Sequence, residues 1–167
     1  GAVLSVSIDN YVYLSMHPYF YENKYLLKYS AHELVDSVDK IQHRIIKQVF
    51  TDYGIKGVDF NSSADIPSGT GLGSSSSFTV GMINLCNAYT GKYMSKEDIG
   101  EYACDIEINK LGEPIGKQDQ YAAALGGINY IEFTPNDTVI VEKIIMKREK
   151  YRELEENLLL FYLGDSR

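Results

Sequence analysis

The sequence predicts an α+β fold in which helices pack on one side of a mostly antiparallel sheet. Residues Ala2 to Met16 alternate in polarity with a period of two. Leu34 to Phe50 and Phe78 to Tyr89 repeat apolar residues at helical spacing, and strand-like runs return later as INYIEF and TVIVEKIIM. With 167 residues, 44% of them hydrophobic and 23% charged, the chain can bury one core, so a single domain over 1–167 is expected.

The elements follow in order. Ala2, Leu4, Val6, Ile8, Val12, Leu14 and Met16 share one face of a long strand, bent near Asp9 and Asn10. Tyr19 to Tyr29 reads as a short strand plus loop. Leu34, Val35, Val38, Ile41, Ile45, Val49 and Phe50 form the buried stripe of a first helix that stops at Gly54. GVDFNSSADI, 57–66, is a strand ended by Pro67. A second helix runs to Thr90 and Gly91, and SKED from Ser95 supplies the N-terminus of a third, buried along Ile99, Tyr102, Ala103 and Ile106. Residues 116–125 form a short helix stopped by Gly126 and Gly127, and two strands then flank the turn TPND. Lys147 to Asn157 is a charged helix or loop that leads into the apolar strand LLLFYLG, 158–164.

Composition narrows the function. A net charge of -7 without a Lys/Arg cluster argues against a nucleic-acid partner, although backbone N–H groups can still bind a small anion. No apolar run reaches the roughly 18 residues of a membrane span, and no signal peptide is visible. Cys86 and Cys104 fall in apolar helical patterns as core thiols, which fits a reducing cytoplasm. His17, His32 and His43 lack HxxxH or HExxH spacing, so a zinc site is not expected; His32 and His43 fall on the first helix in surface or capping roles. The 14 tyrosines fit packing better than base stacking.

Chemistry concentrates in PSGTGLGSSSS, Pro67 to Ser77, with three glycines and five serines in eleven residues. Gly/Ser clusters are common in linkers and turns, but here the cluster lies between a strand and a helix start. That placement aims unpaired N–H groups and the positive end of the helix dipole at an anion. The loop lacks the Lys-Ser/Thr of a Walker A sequence, and its GxGxG spacing misses the GxGxxG of dinucleotide folds. A phosphoryl-transfer site also needs carboxylates, and Glu107 and Asp119 are the candidates. Glu107 lies one turn after Ala103 at the border of the buried stripe, whereas Glu101 and Asp105 point away; a solvated helical Glu is the commoner alternative. Asp119, in GKQDQYAAALGG, could equally be an acid favoured at a helix N-terminus.

The stretch Pro67 to Ser77 resembles the central motif of the GHMP kinases, a superfamily that includes galactokinase, homoserine kinase and mevalonate kinase. The resemblance implies the N-terminal-domain fold of that family, also found in a ribosomal protein. It implies that Pro67, Gly69, Thr70, Gly71, Leu72, Gly73, Ser74, Ser75 and Ser76 wrap the phosphates of ATP. By the same likeness Ser75 and Glu107 are ligands of Mg²⁺ and Asp119 is the catalytic base, the spacing from Glu107 to Asp119 matching galactokinase-like relatives.

VLSVSIDNYVYL, SSADIPSGTGLGSSSSFTVG and GKQDQYAAALGGINYIEF resemble the D-glycero-D-manno-heptose 7-phosphate kinases in particular. That likeness implies phosphorylation of the C1 hydroxyl, with Asp119, Lys117, Gln118 and Gln120 near the sugar; Gln118 could equally cap a helix. The expected partners are ATP and a sugar phosphate, with a homodimer left open and neither nucleic acid nor membrane. The family's N-terminal sugar-binding segment and C-terminal domain would lie outside these residues, so the chain is expected to be inactive alone. Another sugar-1-kinase and a non-catalytic sugar- or nucleotide-binding relative are the alternatives; the latter has no need of the base.

Overall fold

The computed structural model describes residues 1–21, 23–67 and 69–161. The strands are β1 (Ala2–Val6), β2 (Val12–Pro18), β3 (Tyr25–Lys28), β4 (His32–Val35), β5 (Val58–Ala64), β6 (Ile128–Phe133) and β7 (Val139–Lys143). The helices are α1 (Arg44–Tyr53), α2 (Ser74–Thr90), α3 (Lys96–Cys104), α4 (Gln118–Leu125) and α5 (Arg148–Glu156). A π-helical turn, Asp105–Lys110, continues α3.

The expected α+β class holds, but the single sheet is two. One has the order β1-β6-β7 and is antiparallel throughout; the other has the order β2-β5-β3-β4, in which β3 and β5 run parallel. The long N-terminal strand therefore breaks in the middle. Asp65 holds the break: its carboxylate accepts the Tyr11 N–H at 2.8 Å, and its own N–H donates to the Tyr11 carbonyl at 3.0 Å. The side-chain parity also changes across it. In β2 the even residues Leu14 and Met16 turn to the core as expected, whereas in β1 Ser5 is buried and Leu4 and Val6 are 64% and 44% exposed.

The first helix begins later than its apolar spacing suggests. His32 to Val35 pair with β3 as a strand, Val38–Lys40 is a 3₁₀ turn, and only Ile45, Val49 and Phe50 of the expected stripe lie on the helix. A run of four β-compatible residues fits either period, and pairing with Tyr25–Lys28 decides it. Ser95 forms the expected capping box with Asp98. Leu158 to Phe161 adopt no regular structure, and the rest of the strand expected over 158–164 lies outside the described residues.

The main core gathers Leu27, Val58 and Phe60 of the four-stranded sheet, Ile46, Val49 and Phe50 of α1, and Met82, Ile83 and Cys86 of α2. Helix α2 lies close on β2 because position 81 is glycine: a Cβ there would meet Leu14 Cδ1 at 2.9 Å. A smaller cluster of Cys104, Tyr121 and Ile131 joins α3 and α4 to the three-stranded sheet. Both cysteines are buried and free, and burial pushes their thiols up to about 12. No helix among the described residues is long and apolar enough to cross a membrane.

His43 caps α1, its Nδ1 accepting the Ile46 N–H at 3.4 Å. Burial lowers its pKa below the ordinary 6.5, partly offset by the nearby Glu33 carboxylate. A lowered folded pKa means that the unfolded chain takes up the proton first. The contribution to stability is thus complete above about pH 6.5 and is lost as the pH falls toward the folded value. Glu33 titrates in a separate window, below its ordinary 4.5: burial raises its pKa, but hydrogen bonds from Tyr29, Gln42 and His43 outweigh that effect. We predict that the urea midpoint falls between pH 7.5 and about pH 5.5, and that His43→Asn, which keeps a capping side chain, flattens the dependence. An equally steep slope in the variant would assign the effect elsewhere.

Candidate active site

Strand β5 runs out at Ala64, and the chain turns through the glycine loop into α2. Gly69, Gly71 and Gly73 all have positive φ, at 80°, 76° and 71°, so the alternate spacing has a conformational cause. Gly73 is the N-cap of α2, and no side chain caps the helix. The first N–H groups of α2 therefore have no intrahelical acceptor and lie at the positive end of a 17-residue helix. The loop is held by its own hydroxyls, since Thr70 and Ser74 both donate to the Pro67 carbonyl, at 3.2 and 3.4 Å. Pro67, Gly69, Gly71, Leu72 and Ser75 are exposed, Thr70, Gly73 and Ser74 are half-buried, and Ser76 is buried. Ser68 lies outside the described residues.

The loop forms one side of an open cleft of about 480 Å³. Gln118 and Asp119, at the start of α4, face it across Gly73. Asp119 is exposed, and its Cβ and Cγ lie 3.7 Å from where a Cβ on Gly73 would sit. The N-terminal segment also lines it, with Leu4, Val6 and Ile8 as its apolar part. These are the residues whose period-two pattern reads as core. A sheet face lining a cleft and one lining a core carry the same alternation, so the sequence could not separate them.

Glu107 is 1% exposed and points under the start of α2. Its Oε1 accepts from Ser75 at 3.2 Å and Thr79 at 2.8 Å, and its Oε2 accepts from Ser76 at 2.9 Å and from the Gln120 amide. Glu107 lies in the wider π turn, which closes with the Leu111 N–H on the Ile106 carbonyl at 2.9 Å. The solvated alternative for Glu107 does not apply.

The residues thus fall into two groups. Ser75, Ser76, Glu107 and Asp119 come together around Gly73. Lys117 does not join them: its ammonium lies 2.5 Å from Asp137 and does not line the cleft. Gln118 lines the cleft as the first residue of α4 and does not cap it. Gln120 is completely buried on Glu107, which closes it to the sugar contact that the resemblance implies. Thr79 is the site residue that sequence reasoning missed; it follows Ser75 by four, the spacing of one helical face, which is the one legible clue.

No group of three or more His, Cys, Asp or Glu among the described residues forms a metal cluster. A hydroxyl and a carboxylate 3.2 Å apart are nevertheless hard oxygen donors of the kind that suits Mg²⁺, which takes one or two protein ligands and completes its shell with water and phosphate.

A strand, glycine turn and uncapped helix start suit an anion, and the exposed Asp119 lies beside them. Residues 39–127 match the GHMP kinases N-terminal domain, and the chain belongs to that family. It is similar to D-glycero-alpha-D-manno-heptose 7-phosphate kinase of Campylobacter jejuni, 36% identical over 135 residues, which cover 80% of this chain and 39% of the relative. A galactokinase of Thermosipho africanus is 28% identical, over 90% of this chain and 45% of its own. Among solved structures, a D-glycero-D-manno-heptose 1-phosphate kinase from Bacteriodes thetaiotaomicron superposes with a TM-score of 0.85 at 31% identity, covering 93% of this chain and 55% of that one. The chain thus spans about half the length of the relatives it matches, or less.

Gly73→Ala tests the local geometry. A left-handed alanine costs about 1–2 kcal/mol, and the added Cβ would contact Asp119 at 3.7 Å. We predict a loss of that size in unfolding free energy by urea titration. No loss would show that the loop relaxes out of the described conformation.

Proposed function

We propose that this chain is the nucleotide-binding part of an ATP-dependent sugar kinase that transfers the γ-phosphoryl group to the C1 hydroxyl of a heptose phosphate, D-glycero-D-manno-heptose 7-phosphate. The observation that carries the reading is the convergence of Ser75, Glu107 and Asp119 on the uncapped start of α2. The names of the two heptose relatives differ in the phosphate position, so a heptose phosphate is the substrate class they share.

In this reading the N–H groups of Gly73 to Ser75 bind phosphate oxygens and stabilise the charge that builds on them in transfer. Ser75 and Glu107 would hold Mg²⁺, which would supply charge neutralisation to the phosphates. Asp119, exposed at the cleft, orients the sugar hydroxyl and accepts its proton as the O–P bond forms and the bond from γ-phosphorus to the bridging oxygen breaks, leaving ADP. Leu4, Val6 and Ile8 give the cleft an apolar surface. A galactose- or fucose-type sugar-1-kinase is the second reading, favoured by the 28% identity to a galactokinase.

The test uses the full-length protein that contains these residues, with Mg²⁺ and ATP, on heptose 7-phosphate, galactose, fucose and mannose. The heptose phosphate should have the highest kcat/KM. Asp119→Asn should lower kcat by about 10²–10⁴-fold with little change in the KM for ATP. Parent-like turnover in that variant would refute the role of the base, and a preference for galactose would favour the second reading.

A further inference from the structure

Four donors converge on one carboxylate that has about four lone-pair sites. They are not equivalent. Ser75 is exposed and its 3.2 Å approach is the longest of the four, so it is the donor that a cation shared with Glu107 would replace on Oε1, whereas Thr79 and Gln120 have no exposed surface and can reach only protein. Thr79 donates to the same Oε1 that Ser75 approaches, and Gln120 fixes Oε2, so together they set both the position and the plane of the carboxylate. Gln120 also follows Asp119 directly. Successive residues of a helix point about 100° apart, which lets the first turn of α4 send Gln120 inward to Glu107 while Asp119 lies against Gly73.

We propose that Gln120 and Thr79 are positioning residues that aim the Glu107 carboxylate at the divalent cation shared with Ser75, and that Gln120 couples Glu107 to Asp119 through the first turn of α4. This rests on the kinase reading above. Residues that orient a metal ligand without touching the metal commonly change affinity by about 10–100-fold when altered. Gln120 has a further property that separates positioning from simple support: its Oε1 has no hydrogen-bond partner among the described residues. A methionine of similar length removes that orphaned acceptor together with the donor, so the stability lost by taking one donor from Glu107 is partly offset while the orientation of Glu107 is lost.

The experiment measures Mn²⁺ binding to the full-length protein with a non-hydrolysable ATP analogue, from the electron paramagnetic resonance of free Mn²⁺, alongside thermal melts and analogue binding in excess chelator. Gln120→Met should weaken Mn²⁺ binding about tenfold or more, with a modestly lower melting temperature and a chelator-condition affinity close to that of the parent. Thr79→Val should do the same, and Thr79→Ser, which keeps the hydroxyl, should restore parent affinity. Parent-like Mn²⁺ binding by Gln120→Met would overturn the proposal and leave the kinase reading intact. A parent that binds neither the analogue nor Mn²⁺ would overturn both. If Gln120→Met does not fold, the Thr79 pair decides: equal weakening in the Val and Ser variants contradicts positioning through the hydroxyl.

Discussion

The buried carboxylate of Glu107 is the constraint on which the arrangement of the cleft depends. An ionised group out of water is costly unless it is fully hydrogen-bonded, and this one is satisfied only if three elements keep a single register. Ser75, Ser76 and Thr79 must lie on one face of α2, the π turn must point Glu107 inward, and α4 must begin where Gln120 can reach it. Once those conditions hold, the start of α2 is fixed at the cleft and Asp119 lies beside Gly73. The polar network thus does for the site what Phe50, Phe60 and Met82 do for the core.

This arrangement also explains how an acidic chain with a net charge of -7 can present an anion site. The positive potential is local and comes from backbone, namely unpaired N–H groups at a helix end left bare by Gly73. Glu107 and Asp119 would oppose an anion if both faced the cleft unscreened. Glu107 does not, because its charge is spread over four donors and sits beneath the loop. Asp119 is the exposed acid that lines the cleft, and the proposed base.

Much of this was legible in the sequence where a local rule governs the outcome. The glycine loop and the Ser95 capping box are set by φ requirements and a three-residue spacing, and both were read from the chain. Leu34 and Val35 were misassigned to a helix because four residues cannot separate the two periods, and strand pairing with β3 settles them. Leu4, Val6 and Ile8 kept the correct period but the wrong environment, since alternation shows which side chains share a face and not what that face meets. Glu107, at the border of the buried stripe, and Asp119, near a helix N-terminus, stand out by position, and the resemblance supplies their roles; the π turn that carries Glu107 is not announced by the residues DIEINK. Gln120 was read as a sugar contact, and only the packing of α4 on α2 reveals its inward direction.

The most direct measurement of the central claim is backbone amide NMR of the full-length, deuterated protein during titration with Mg²⁺ and a non-hydrolysable ATP analogue. The largest shifts should fall on the N–H groups of Gly71 to Ser75, with smaller ones at Glu107 and Asp119. Saturable binding that leaves those amides unmoved would contradict the assignment of the bare start of α2 as the phosphate site.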